Sequence, residues 1–494
     1  MATRVSRLFA AFALLLVAAC SDTVVSSPPA TDRFYYPTGL AIRHVDLATG
    51  LGCVGGSASC QTQLLVASSN FDLRYDSATG GTVIAVDVDK ALATPLAPLA
   101  APALLGVARI GSFGGALAIV DEDSCPGWQT TLGHAAQALV ASRSQNALYR
   151  VNIDAQGSLT CGAGCRVPLE AALGDPYGVA VACGTFPPAA GGTPVAQSLA
   201  FVTYLRAPNS EGFLSRIDLA AADNPRTLVD LLTVPTHSAV FDPVSTRLYV
   251  TERFAAIGYT PLRWITLAAP GNVAARNIFD VIRGSELRGM ALSSDSAPGV
   301  PPSRAYLALR IYDVDQATST GVRPSDDLAG ALAVMDLQES PDGQPSTRIL
   351  NVVPMDRGAT EIRVVPRDLD PTTRKPRVDP VLGRPKRDLV AVTCTDDGTV
   401  ALYDDEIGVV ARVFDICDAI SSDAGDAGAP PPCDPGDPLV GKQPFGLAVE
   451  ALANGHARLY VGSFDRSWVN VIEIDPLQPS AAPVAWARIG PERQ

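Results

Sequence analysis

One short pattern, a small residue followed by alternating apolar residues, returns along the length of this chain. It is clearest at Thr38-Gly39-Leu40-Ala41-Ile42, Tyr177-Gly178-Val179-Ala180-Val181, Arg288-Gly289-Met290-Ala291-Leu292 and Phe445-Gly446-Leu447-Ala448-Val449, with weaker copies beginning at Gln137, Ser238 and Ile362. Seven copies of one β-type pattern constrain the fold more tightly than composition does. A unit too small to bury its own faces must bury them against its neighbours, so the copies are expected to form one domain despite their combined length.

Each copy is followed by further strand-like runs. A second is seen at Leu64-Leu65-Val66-Ala67-Ser68, Arg247-Leu248-Tyr249-Val250-Thr251, Ala305-Tyr306-Leu307-Ala308-Leu309 and Arg458-Leu459-Tyr460-Val461-Gly462. A third ends in an acidic turn, as in Val83-Ile84-Ala85-Val86-Asp87 and Val471-Ile472-Glu473-Ile474-Asp475, and a fourth is suggested by Ala108-Arg109-Ile110-Gly111 and Ala487-Arg488-Ile489-Gly490. Gly, Pro, Asp and Asn clusters separate the runs, and helix periodicity is scarce. Four strands in each of seven units predict an all-β fold, a seven-bladed β-propeller of four-stranded antiparallel blades over residues 37–490. Units of about 65 residues exceed the ~40–45 of compact blades. The excess falls in Pro-, Gly- and Ala-rich insertions at 185–197, 294–303, 318–328, 367–387 and 418–441.

The runs Leu248-Tyr249-Val250-Thr251 and Leu459-Tyr460-Val461-Gly462 resemble the tetrapeptide of YVTN-type and lactonase-like propellers. The resemblance implies the fold and keeps open a hydrolase that acts through a channel metal. Tyr249 and Tyr460 read as packing residues. On this parse the ring begins with an innermost strand and ends with an outermost one, so no terminal strand completes the other end's sheet. Blade packing, or the Asp32 to Tyr36 segment, must then hold the seam.

The chain opens with Arg4 and Arg7, runs apolar from Leu8 to Ala19 and reaches Cys20. That is a secretory signal over 1–19, too short for a stable span. Val17-Ala18-Ala19-Cys20 resembles the lipobox of bacterial lipoproteins, which implies acylation of Cys20, a lipid-attached tether over 20–36 and residence in the cell envelope, the outer membrane in a diderm bacterium. Removing 1–19 lowers the basic count from 38 to 36 against 51 acidic residues, a net charge of −15. Such a surface repels nucleic acid, so the expected partners are the membrane, through Cys20 alone, and a protein or polysaccharide at a propeller face.

Of ten cysteines, lipidation of Cys20 leaves nine, so at least one stays unpaired within the chain. Cys53 with Cys60, Cys161 with Cys165, and Cys417 with Cys433 are the neighbouring candidates for disulfide staples, while Cys183 and Cys394 lie in strands and are expected as buried free thiols. Gly436 to Lys442 has P-loop spacing, but Gln443 replaces the Ser/Thr and Pro444 forbids the helix. Asp121-Glu122-Asp123 lacks the Glu eleven residues on that a calcium loop needs, Leu132 standing there. The acidic Asp415 to Asp437 loop reads as a solvated linker that calcium would occupy only loosely. No other cofactor or metal is expected.

Four histidines are present. His44 and His456 fall in turn-like contexts, whereas His134 and His237 are placed at the starts of innermost strands. Aligning those strands puts Thr38, Ala136, Tyr177, His237, Arg288, Glu361 and Phe445 around one mouth of the channel. His237, Arg288 and Glu361 then form a candidate ligand-binding set on adjacent blades, with Arg288 as the charge clamp. The reading without a ligand is that Arg288 and Glu361 satisfy each other and His237 caps a strand. No catalytic residue is assigned. A binding or scaffolding module comes first, a lactonase-like hydrolase second, a structural or sensory component third.

Overall fold

The computed structural model describes residues 28–491, apart from 54–58, 189–191, 207–211, 222, 232–234, 253–260, 269–272, 278–284, 297–298, 312–328, 340–342, 371–375 and 417–442. The proposed signal, Cys20, the Cys417–Cys433 pair and the Gly436 to Lys442 run therefore lie outside the described residues. Among the described residues no helix is long and apolar enough to cross a membrane.

Among the described residues seven antiparallel blade sheets follow one another along the chain, with a two-stranded ribbon of Val378–Asp379 and Arg384–Pro385 inserted in the sixth. Their innermost strands are Pro37–Asp46, Gly114–Val120, Gly174–Phe186, Thr236–Asp242, Ser285–Leu292, Ala359–Val365 and Pro444–Ala451, for blades one to seven. Each touches the next, and the seventh touches the first, so the ring closes as a seven-bladed β-propeller. The hydrophobic core is not central. Seven clusters each draw on two successive blades, such as Leu65, Ala67 and Val83 of blade one with Ala138, Val140 and Tyr149 of blade two. Side chains alternate across a strand, so every blade feeds the interface on either side of it. Tyr249 and Tyr460 are buried in these interfaces, as packing residues.

Two features depart from the expected register. Blade two starts at Gly114, not at 136; the strand Ala136–Ser142 is its second. Ala136 is therefore not at the channel mouth, and His134 stacks on Trp128 at 4.4 Å beside a pocket shared with Leu219 and Ala220. The alternating, fully buried run at 136–142 imitates an innermost strand, whereas Gly114-Gly115-Ala116 begins blade two with an extra small residue. Blade two's outer edge is two short strands, Leu159–Thr160 and Arg166–Pro168, interrupted by the Cys161–Cys165 disulfide.

The second departure is a β-bulge near the start of all seven innermost strands. Pairing jumps between Pro37 and Gly39, Gly114 and Leu117, Pro176 and Val179, Thr236 and Ala239, Leu287 and Met290, Ala359 and Ile362, and Pro444 and Leu447. At the bulge the backbone of one blade abuts the next: a Cβ on Gly178 would stand 2.5 Å from the His237 carbonyl, and one on Gly289 2.5 Å from that of Thr360. Hydroxyls complete the joint where the second strand supplies them. The Gly178 N–H donates to Thr203 Oγ1 (2.8 Å), which donates to the His237 carbonyl (2.7 Å), and Thr251 links Ser238 to Arg288 in the same way.

The seam is held without strand exchange. Phe34 is fully buried among Leu40 and Ile84 of blade one and Ala448, Tyr460 and Ile489 of blade seven. The Leu99 N–H donates to Asp32 O (2.6 Å) and the Ser69 N–H to Tyr35 O (2.9 Å). Glu450 of blade seven accepts from Thr62 (3.1 Å) and from the Tyr460 hydroxyl (2.5 Å) and lies 3.7 Å from His44. His44 is thus at the seam, and His456 bonds Glu473 at 2.9 Å; both side chains remain partly exposed.

Among the described residues there are three disulfides: Cys53–Cys60, Cys161–Cys165 and Cys125–Cys183. The last replaces the free thiol expected at Cys183 and straps the loop of blade two to the innermost strand of blade three. Sequence spacing gave no hint of it, because the partners are 58 residues apart and meet only across a blade interface. Cys394 is a buried free thiol, its pKa pushed up to about 12 by burial. The acidic run at 121–123 is spent locally: Glu122 accepts from the N–H groups of Gly127, Gln129 and Thr130, which together pull its pKa to about 2.

Candidate functional site

The bulges determine what faces the channel mouth. Counting from the residue before each jump, the next position is Thr38, Gly115, Tyr177, His237, Arg288, Thr360 and Phe445 around the ring. Glu361 is thus one place further on than expected, where most blades carry Gly. There it still meets the other candidates. Arg363 Nη1 lies 3.4 Å from Glu361 Oε2, and Tyr177 and Arg288 act on the same carboxylate. Tyr177 belongs to blade three and Glu361 to blade six, so their contact runs across the channel. Tyr177 stacks on His237 at 4.6 Å, and Arg288 bonds Glu286 at 3.0 Å. Burial raises the Glu361 pKa, against Arg363, Tyr177 and Arg288, which draw it down.

All four are nearly covered: His237 is 1% exposed, Tyr177 5%, Glu361 7% and Arg288 9%. His237, Arg288 and Glu361 are therefore brought to one mouth, with Tyr177 added, as a polar plug whose side chains bond mainly to their own strands, His237 Nδ1 to the Ser238 hydroxyl at 2.9 Å among them. The ion pair expected between Arg288 and Glu361 is instead divided, Arg288 holding Glu286 and Glu361 holding Arg363.

Blades seven, one and two finish the same mouth differently. Phe71 is 51% exposed, and its ring stands 6.0 Å from Tyr36, 5.5 Å from Phe113 and 5.2 Å from Phe464, which touches Phe445 at 5.5 Å. Tyr36 and Phe113 precede the innermost strands of blades one and two with φ of 54° and 55°. A non-glycine residue there costs about 1–3 kcal/mol, and such strain concentrates where a structure needs a side chain aimed. The aim is maintained by N–H donors at the end of the second strand, Ser69 to Tyr36 O (3.1 Å) and Arg143 to Phe113 O (3.2 Å). Arg143 lies over the Phe113 ring at 5.7 Å and pairs with Asp175 at 3.2 Å, beside the exposed Arg206. Sequence reading missed this rim except for Phe445, since its rings come from loops of three blades; the aromatic just ahead of two bulges was the available signal.

Below the plug, a cavity of about 500 Å³ follows the innermost strands of blades three to six toward the opposite face. Among the described residues no three His, Cys, Asp or Glu side chains are grouped to hold a metal ion. At the two ends of the 367–387 insertion, Arg367 pairs with Asp404 at 2.6 Å and Arg384 with Glu406 at 2.6 Å, both partners belonging to blade six.

No protein-family model matches the chain, and no curated protein matches it in sequence. Similar solved structures include the hydrazine synthase of Kuenenia stuttgartiensis, 13% identical over 92% of this chain and 99% of that one, with a TM-score of 0.49. A 6-phosphogluconolactonase-like protein of Bacteroides fragilis is 14% identical over 79% and 96%, TM-score 0.39, and one of Bacteroides uniformis 13% identical over 77% and 95%, TM-score 0.39. Likeness at this level describes architecture and carries no chemistry.

Proposed function

We propose that this protein is an exported recognition module, lipid-anchored in the cell envelope through Cys20, that binds envelope polysaccharide at the aromatic rim of its propeller. The half-exposed Phe71, seated on Tyr36, Phe113 and Phe464, carries the reading. A sugar ring offers an apolar C–H face to stack on an aromatic ring and a rim of hydroxyls that want donors and acceptors. Arg143, Asp175 and Arg206 supply those beside the rings. A protein partner fits less well. Phe71 and Leu73 together expose on the order of 200 Å² of apolar surface, below the several hundred Å² expected of a protein-binding patch.

The test is co-sedimentation of the protein with purified, protease-treated envelope polysaccharide, wild type against Phe71→Ala. The exposed ring can be removed without unfolding the blade, and loss of one stacking contact should weaken binding about tenfold. Unchanged binding in Phe71→Ala, or binding that disappears when the polysaccharide is stripped of protein, overturns the reading. Fractionation of cells carrying Cys20→Ser tests the anchor: release from the membrane, or stalled processing, is expected.

A further inference from the structure

Past the bulge, the innermost strands carry a second regularity. The fourth residue after the bulge start is Ala41, Ala118, Ala180, Val240, Ala291, Arg363 and Ala448 around the ring, and the fifth is Ile42, Ile119, Val181, Phe241, Leu292, Val364 and Val449. The two positions turn to opposite flanking interfaces of their blade, as alternation along a strand requires, and both are apolar in every blade except the sixth, where Arg363 introduces a charge. The roughly 500 Å³ cavity is lined by Ala180, Val240, Phe241, Met290, Leu292 and Val364 among others, and reaches Pro243, Ser296 and Pro302 at the face away from the aromatic rim. Volumes of that size, apolar walls and one or a few placed polar groups are what small-molecule sites share.

Arg363 is the charged residue of this lining. Its Nη1 donates to Ile362 O (2.7 Å) and to Glu361 (3.4 Å), which fixes one edge of the guanidinium at the plug, and the side chain remains 38% exposed. We propose that the channel between blades three and six is a second binding site, for an elongated apolar molecule ending in one carboxylate, with Arg363 as the anchor. The planar fork of a guanidinium matches a carboxylate's two oxygens. A phosphate monoester would ask for a second cation, and Arg288 is bound to Glu286 within the plug.

The site is tested by calorimetric titration of the lipid-free mature protein with decanoate, decan-1-ol and decyltrimethylammonium. Decanoate should bind best, the alcohol more weakly and the cation least. Arg363→Met should weaken decanoate by about tenfold or more and leave decan-1-ol unchanged, whereas Val364→Trp, which fills the cavity, should weaken both. Phe71→Ala should alter neither, which separates this site from the polysaccharide rim. Equal affinity for the three head groups, full decanoate binding in Arg363→Met, or no binding of millimolar decanoate to the wild type overturns the proposal. If Arg363→Met fails to fold, the head-group comparison on the wild type decides alone.

Discussion

Single residues here do work that depends on which blade they border. Asp388 precedes the second strand of blade six and accepts from the Ser294 N–H (2.9 Å) and hydroxyl of blade five, close to Asp295 and Asp405. Burial foremost, then the two carboxylates, raise its pKa to about 7, against the Ser294 hydrogen bonds. An unfolded Asp titrates near 3.9, so the folded state holds this proton more tightly. The group's contribution is whole below about pH 4, declines as the pH rises toward 7, and above that leaves a penalty on the order of 4 kcal/mol. Asp388→Asn cannot ionise. Urea unfolding at pH 4.5 and pH 8 should show the variant gaining on the wild type by that order between the two; an equal difference at both would show that Asp388 is charged throughout. His237 and Arg288 were legible as side chains sharing one mouth, because equal positions in repeats share an orientation, whereas Glu361 reaches it from one position further on. That they form a buried plug was not, since Tyr177 and Glu361 are three blades apart and meet only when the ring closes.

At the scale of strands, the bulge is the unit that repeats. It sets the phase of each blade, and one residue of phase separates Thr360 from Glu361 at the mouth. The motif was visible in four blades where a Gly sits at the bulge, and was misplaced in blade two, where Gly114 and Gly115 blur it and the second strand imitates it. Blade two is also where covalent strapping matters most. By loop closure alone, the 58-residue Cys125–Cys183 bridge should stabilise by about 4 kcal/mol and the four-residue Cys161–Cys165 bridge by about 2. Replacing Cys125 and Cys183 together by Ala should therefore lower the melting temperature more than replacing Cys161 and Cys165. The reverse order in calorimetry would mean that the blade two to three interface needs no strap.

The whole molecule is a ring whose stability is shared among seven blade interfaces, one of which is the seam. Phe34 stands outside every blade yet is fully buried at that seam, so Phe34→Ala should cost about 3–5 kcal/mol and expose blade one first. Hydrogen exchange should show early loss of protection in Pro37–Asp46 and Pro444–Ala451; uniform loss around the ring would place the weak point elsewhere. Alternation and recurrence along the chain determined the class of fold, the blade count and the burial of residues such as Tyr249 and Tyr460, because strand periodicity and repetition are local properties that no distant contact can reverse. Ring closure decided the rest. The plug, the aromatic rim, the Arg363 cavity and the Cys125–Cys183 bridge each join residues of different blades, and their geometry follows from blade packing and bulge phase, which no stretch of sequence contains alone.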